Sequence, residues 1–245
     1  MHLSTIPLLR CPATGGPLSL IEPPDSEWIE TGTLRSIRSG ATFAIRDGMA
    51  HIYVDDQRWA PKAQEARGWV QMARDLGFYH HGDEDLRLPY FGAPPWIDIA
   101  RQFDILLDIA EPGPGTRVLD LGAGRGWAAH CFARRGCQAF AVDICDDAQI
   151  GLGRARAMMA QSQLRFDTFI ADGENLPFAN DSFDFVFSAA ALHHATDLQN
   201  CLSRLPAYYA LVGAGSRGTS PASTTRPTKP NCYKSQTPRA SWPMA

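Results

Sequence analysis

Three short stretches of this chain hold residues whose types and spacing can do chemistry. In Val118-Leu119-Asp120-Leu121-Gly122-Ala123-Gly124-Arg125-Gly126, a carboxylate precedes three glycines at G-x-G-x-G spacing. Glycines let the chain turn sharply and let a ligand reach the main chain, and a helix starting there offers unpaired N–H groups. A dinucleotide-binding turn would be spaced G-x-G-x-x-G, and its third glycine would fall where this chain has Trp127. An acidic residue just ahead of the turn suits a ligand with a positive amino or sulfonium group better than a pyrophosphate. Asp143 closes the apolar run Ala139–Val142. It lies about twenty residues past the turn, where a carboxylate can accept both hydroxyls of an adenosine ribose. The third stretch is Ala171-Asp172-Gly173-Glu174-Asn175-Leu176-Pro177-Phe178. There Asp172 can accept a bond from an adenine amino group, and Gly173 permits close approach.

The elements that must position these residues follow from periodicity. From Thr116 to Leu205 the pattern is strand, glycine turn, helix, repeated. Strands are expected at Arg117–Leu121, Gln138–Val142, Leu164–Ile170 and Phe183–Ser188. Helices are expected at Gly124–Arg135, from Asp146 to about Ala160, and near Thr196–Leu205. Such alternation implies a parallel sheet of βαβ units, and all three carboxylates then fall at or near the carboxyl ends of adjacent strands, where open α/β sheets bind ligands. Asp146 reads as a helix cap, Ser188 as a strand-end pocket wall, and Cys131 and Cys137 as buried apolar groups.

Ahead of this region, residues 57–94 form a helical linker. Pro61 suits a first helical position, Ala66, Trp69, Val70, Ala73 and Leu76 make an apolar face, and Gly77 ends the helix. A second helix is expected from Pro95 to Ala110, with Trp96, Ile99, Phe103, Leu106 and Leu107 on one face. Residues 1–56 form a small β-rich module, with Thr42–Ile45 and His51–Val54 flanking the turn Arg46-Asp47-Gly48.

The 245 residues carry 23 basic and 26 acidic groups, a net charge of −3. That mean hides two compositions: residues 1–197 hold 17 basic and 26 acidic groups (−9), and residues 198–245 hold 6 basic and none acidic (+6). With 44% hydrophobic and 20% charged residues, a collagen-like, coiled-coil or wholly disordered chain is excluded. No run of about 18 apolar residues marks a membrane span, so a soluble cytoplasmic protein is expected. The six cysteines show no C-x-x-C pair, which favours reduced thiols over a disulfide framework. The acidic body speaks against a nucleic-acid partner held by phosphate neutralisation.

Together, VLDLGAGRG, AVDI and ADGENLPFANDSFDFVFSAAALHH resemble the class I S-adenosylmethionine (SAM)-dependent methyltransferases, especially the ubiquinone/menaquinone type and other small-molecule methylases. The resemblance spans residues 95–205. It implies a Rossmann-like parallel sheet and SAM as cofactor, with Asp120, Gly122, Ala123, Gly124 and Gly126 at its methionine part. It places Asp143 and Ile144 at the ribose, Asp172 and Gly173 at the adenine, and Ser188 in the pocket wall. His193-His194 matches the segment beside the methyl-transfer site, where a structural role at a helix start is the alternative; no residue stands out as a general base. The expected partner is a small-molecule acceptor. Alternatives are a SAM- or partner-binding protein without catalysis, and an RNA methyltransferase.

Residues 8–18 and 40–52 resemble the small zinc-ribbon-like module of methyltransferase activators, through the leucine pair before Cys11-Pro12, the Gly16-Pro17-Leu18 turn and Phe43-Ala44-Ile45-Arg46-Asp47-Gly48. A zinc ribbon needs four thiolate or imidazole ligands. Here Thr14 replaces the second and the second pair is missing, so no metal is expected. Residues 206–245 carry six prolines, many Ser and Thr and no periodicity. They read as a disordered tail that departs from the family pattern through a frame change near Pro206 or a truncation, the alternative being a natural regulatory tail, with Leu211-Val212 as a strand stub. Loss of the later strands would impair activity.

Overall fold

The computed structural model describes residues 1–22, 24–77, 83–92 and 94–197 and the backbone of 209–212. The strands are β1 (Leu18–Leu20), β2 (Gly32–Ser36), β3 (Thr42–Arg46), β4 (Met49–His51), β5 (Arg117–Leu121), β6 (Gln138–Asp143), β7 (Asp167–Ile170), β8 (Phe185–Ala189) and β9 (Tyr209–Val212). They form one sheet in the order β1-β2-β3-β4-β7-β6-β5-β8-β9. The first four make an antiparallel meander. Every later pairing, including β4 on β7, is parallel.

Side chains alternate across the parallel strands, as period-2 geometry requires. Val118, Ala139, Ala141, Phe185 and Phe187 face one core, which also holds Phe103, Leu106 and Leu107 of α2 (Trp96–Ala110), Trp127 and Phe132 of α3 (Trp127–Arg134), and Ala155 and Met158 of α4 (Gly153–Ser162). Phe103 is its centre, meeting Trp127, Phe132 and Phe187 edge to face at 5.2–5.5 Å. Leu119, Leu121, Phe140, Val142, Phe169 and Val186 face the other core, whose opposite wall comes from the amino-terminal residues Leu9, Ile29, Leu34 and Ile45 together with Phe178 and Phe183. The expected α/β class and parallel sheet are therefore present, and α2 buries the face expected of it.

Several details differ from the periodicity reading. The amino-terminal strands join the parallel sheet. Of these, β4 continues the sheet, Ala50 pairing with Phe169, and residues 8–10 run against 177–179 through Arg10 N–H to the Pro177 carbonyl (2.9 Å) and Ala179 N–H to the Leu8 carbonyl (2.8 Å). Helix α4 starts at Gly153, so Asp146 caps nothing; instead Asp147 closes a turn by accepting the Gln149 and Ile150 N–H groups at 2.8 and 3.2 Å. Helix α1 (Trp59–Leu76) ends at Gly77 as expected, but Trp69 and Leu76 are 40% and 59% exposed. Its buried residues are Trp59 and Ala73, with Ala63 packed partly buried against the same core as Trp59, and beside them the helix points Lys62 and Glu65 at polar partners.

Residues Tyr209–Val212, within the segment assigned to the tail, add a parallel strand to β8, so β8 is not a sheet edge. The helix expected near 196–205 falls largely, and the rest of the tail wholly, outside the described residues. Among the described residues no helix is long and apolar enough to cross a membrane.

Candidate functional site

The three sequence stretches converge because β5, β6 and β7 are neighbours in register, with Leu121 opposite Val142 and Asp143 opposite Ile170. Beyond Leu121 the chain turns back at once: the Gly122 and Ala123 N–H groups both donate to the Val142 carbonyl, at 2.9 and 3.0 Å. Gly122, Gly124 and Gly126 take φ of +72°, +52° and +81°, a region that favours glycine. Gly126 is the N-cap of α3, and a Cβ there would press on Phe166 and Ala155 at 3.1 and 3.2 Å. Gly124 has an open face, its nearest neighbour being the Ile150 carbonyl oxygen at 4.0 Å.

Asp143 is held from both sides. One carboxylate oxygen accepts the Gly124 N–H at 2.8 Å and the other the Cys145 N–H at 2.9 Å. Burial pushes its pKa up, opposed by these backbone donors. Each oxygen keeps a second lone-pair direction, so a group with two adjacent hydroxyls suits the half-buried carboxylate. Ile144 packs partly buried beside it.

Asp120 lies beneath the glycine turn. It is 2% exposed and accepts the Ala129 N–H at 3.0 Å, satisfying one of the orphan donors in the first turn of α3. Burial raises its pKa to about 7. Ser188 is likewise buried and donates to the Leu121 carbonyl at 2.8 Å, tying β8 to the start of the glycine turn.

Asp172 lies two residues past β7. It accepts the Glu174 N–H at 2.9 Å and is ion-paired with Lys62 at 3.0 Å. Lys62 also reaches Glu174 at 3.3 Å, and these carboxylates hold its pKa above the usual value although burial pulls it down. Gly173 is packed so that a Cβ would sit 3.1 Å from Leu121. Next to it, Asn175 donates to the Pro12 carbonyl at 2.9 Å, and Pro12, Tyr53, Trp59, Asp172 and Asn175 share a pocket at the border of the amino-terminal module.

Periodicity missed the contribution of α1. From one side of this helix Lys62 meets Asp172, and Glu65 meets His194 with 2.8 Å between Oε1 and Nδ1. Trp69 lies edge-on to the same imidazole at 5.6 Å. His193 and His194 form a short 3-10 turn with Leu192, their rings 3.9 Å apart. Also missed was Asp85, buried in a 3-10 turn (Glu84–Arg87), which binds Arg125 of the glycine turn at 3.0 Å and Arg154 of α4 at 2.5 Å. Helical spacing of Lys62 and Glu65 was the available signal for α1; nothing local marked Asp85.

Cys11 is buried with its Sγ 4.0 Å from Ser39 Oγ, and among the described residues no cluster of three or more His, Cys, Asp or Glu is arranged to hold a metal. Cys137 is buried and Cys131 half-buried; burial raises both thiol pKa values, that of Cys131 to about 12.

Residues 119–206 match a family described as a methyltransferase domain. The sarcosine/dimethylglycine N-methyltransferase of Aphanothece halophytica is 32% identical over 141 residues, covering 54% of this chain and 50% of that protein. The ubiquinone/menaquinone biosynthesis C-methyltransferase of Cereibacter sphaeroides is 32% identical over 114 residues, 46% of this chain and 44% of that one. Among solved structures, phosphoethanolamine N-methyltransferase 2 of Haemonchus contortus, in complex with S-adenosyl-L-methionine, aligns with a TM-score of 0.40 and 25% identity over 46% of this chain and 27% of its own. The chain thus spans about half the length of these curated relatives.

Proposed function

We propose that this chain is a SAM-dependent methyltransferase acting on a small-molecule acceptor, working from its methyltransferase domain at residues 119–206. The observation that carries the reading is the alignment of three groups on adjacent strand ends: an open-faced glycine turn, a carboxylate held by two backbone donors, and a second carboxylate already accepting a cationic amine. These fit a ligand with an aminoacyl arm, a ribose diol and an adenine amino group. Gly124 would face the methionine part, Asp143 the ribose hydroxyls, and Asp172 with Gly173 the adenine. SAM, when bound, supplies an electrophilic methyl group on a sulfonium centre.

The residues of the chain then contribute position. Asp143 is fixed before any ligand arrives, so little ordering entropy remains to be lost on binding. Asp120 acts beneath the turn by holding α3, and Ser188 by holding β8. Lys62 would exchange Asp172 for Glu174 as adenine enters. The −9 charge of residues 1–197 favours a small acceptor over RNA. Calorimetric titration with SAM, followed by transfer of labelled methyl from SAM into a metabolite extract, tests the reading. Heat of binding with label in a product supports it. Binding without label favours a non-catalytic SAM-binding protein, and no binding overturns both.

A further inference from the structure

Asp85, in the linker, is tied to both segments that hold Asp143. It lies outside the residues that match the methyltransferase family, in the 3-10 turn Glu84–Arg87, and is 1% exposed. The turn is anchored: Leu88, at its end, is buried in the core shared with α3, and its carbonyl accepts the Cys131 thiol at 3.4 Å. From this fixed point the two carboxylate oxygens divide. Oδ1 accepts Arg125 Nη1 at 3.0 Å, and Oδ2 accepts Arg154 Nε at 2.5 Å.

Each arginine belongs to one of the two segments that orient Asp143. Arg125 follows Gly124, whose N–H donates to one Asp143 oxygen at 2.8 Å. Arg154 lies in the first turn of α4, and the loop leading to it is folded back on Cys145. There the Leu152 N–H donates to the Cys145 carbonyl at 2.9 Å, and a Cβ on Gly151 would be 2.4 Å from the same oxygen. Cys145 supplies the second donor, its N–H reaching the other Asp143 oxygen at 2.9 Å. A closed ring results, in which Asp85 joins the outer ends of the two segments and Asp143 joins their inner ends. The direction of the remaining Asp143 lone pairs thus depends on the spacing that Asp85 holds between the glycine turn and α4. Two hydrogen bonds to adjacent hydroxyls tolerate little error in that direction.

Resting on the SAM-dependent reading above and its assignment of Asp143 to the ribose, we propose that Asp85 is a positioning residue for the cofactor. By bridging Arg125 and Arg154 it sets the spacing of the Gly124 and Cys145 N–H groups, and so the preference of the site for a ligand with a vicinal ribose diol. The linker thereby belongs to the cofactor-binding unit, acting through the two arginines and not on the ligand itself.

The test uses the full chain and two probes, S-adenosylhomocysteine and its 2′,3′-dideoxy analogue, titrated by calorimetry. The ratio of their affinities reads recognition of the diol, and it does not change when a variant only lowers the folded fraction, because both probes then weaken alike. In the wild type the diol compound is expected to bind about tenfold more tightly or better, the size of hydrogen bonds to a charged group. Asp85→Asn, nearly isosteric but uncharged, is expected to bring the ratio to about threefold or less as those bonds lose their geometry. Arg154→Met releases only the Cys145 side and leaves Asp85 paired with Arg125; it should lower the ratio part of the way, and it decides the matter if Asp85→Asn does not fold. Amide hydrogen exchange adds a second reading: in Asp85→Asn the Gly124 and Cys145 N–H groups should exchange faster relative to the Ala129 N–H, which Asp120 holds. A ratio equal to that of wild type in these variants would overturn the role of Asp85. Wild-type protein that binds S-adenosylhomocysteine without preferring the diol would instead remove the ribose assignment, and protein that binds neither probe would remove the SAM-dependent reading.

Discussion

Arg125, in the middle of the glycine turn, is ion-paired at 3.0 Å with Asp85, forty residues earlier in the chain. The same carboxylate holds Arg154 of α4, and all three groups are largely buried, Asp85 at 1% exposure. The linker thereby fixes the outer rim of the turn. Burial alone would raise the Asp85 pKa, but the two guanidinium groups outweigh it and hold it below the usual range.

Asp85→Ala should therefore be costly, because it removes the buried carboxylate that both guanidinium groups contact. Breaking one partner of a buried ion pair costs about 3 kcal/mol, readable as a lower urea midpoint at unchanged slope. Because the folded-state pKa is depressed, this stabilisation is present above the ordinary carboxylate pKa and is lost as pH falls through the lowered one. The wild-type advantage over Asp85→Ala should accordingly shrink in acid.

Gly122→Ala places a methyl group 2.1 Å from the Ala191 Cβ at a residue with φ of +72°. Both the clash and the left-handed backbone oppose it, at a combined cost of roughly 2–4 kcal/mol. Ala191→Gly in the same chain should recover the steric part only. Thermal melts of the two single variants and the double variant check this.

Asp143→Ala removes the carboxylate that two backbone N–H groups orient. SAM affinity is expected to fall by about tenfold or more, since hydrogen bonds to a charged group are worth about 1.5–3 kcal/mol. Calorimetry measures it, and unchanged affinity would remove the ribose assignment.

Asp120→Asn keeps an oxygen for the Ala129 N–H and removes the charge. Burial raises the Asp120 pKa from 3.8 to about 7, so the folded state binds the extra proton between those values. That contribution is full below pH 3.8 and is lost as pH rises toward about 7. The asparagine variant should gain on wild type over this range, by on the order of 3 kcal/mol, as denaturant titrations at pH 5 and 8 would show.

Leu9→Ala tests whether the amino-terminal module and the parallel sheet unfold together. Leu9 is fully buried in a core that also contains Phe140, Phe169 and Phe178. Truncation should cost about 2–5 kcal/mol and shift a single thermal transition. Two resolved transitions in calorimetry would mean that the shared core does not couple them.

Much of the site was legible before any tertiary structure because its parts are local. The glycine turn needs left-handed backbone at Gly122, Gly124 and Gly126, and short apolar runs around Val118–Leu121 and Ala139–Val142 mark the buried strands that carry Asp120 and Asp143 at or near their ends. Those features lie within a few residues of each other, so residue type and spacing alone determine them. Which way Asp120 and Ser188 direct their polar atoms was decided by the neighbours they meet, Ala129 and Leu121.

The remaining parts depend on pairs far apart in sequence. Lys62 meets Asp172, Glu65 meets His194, Asp85 meets Arg125 and Arg154, and Ala50 pairs with Phe169. No period links such residues, and a lysine or glutamate on a helix looks the same in sequence whether it faces water or a carboxylate. The sequence by itself determined the βα turns and the carboxylates they carry. Only the tertiary structure decided that α1 lies across them, through ion pairs with residues over a hundred positions away, and that the amino-terminal strands extend their sheet and cover its second face.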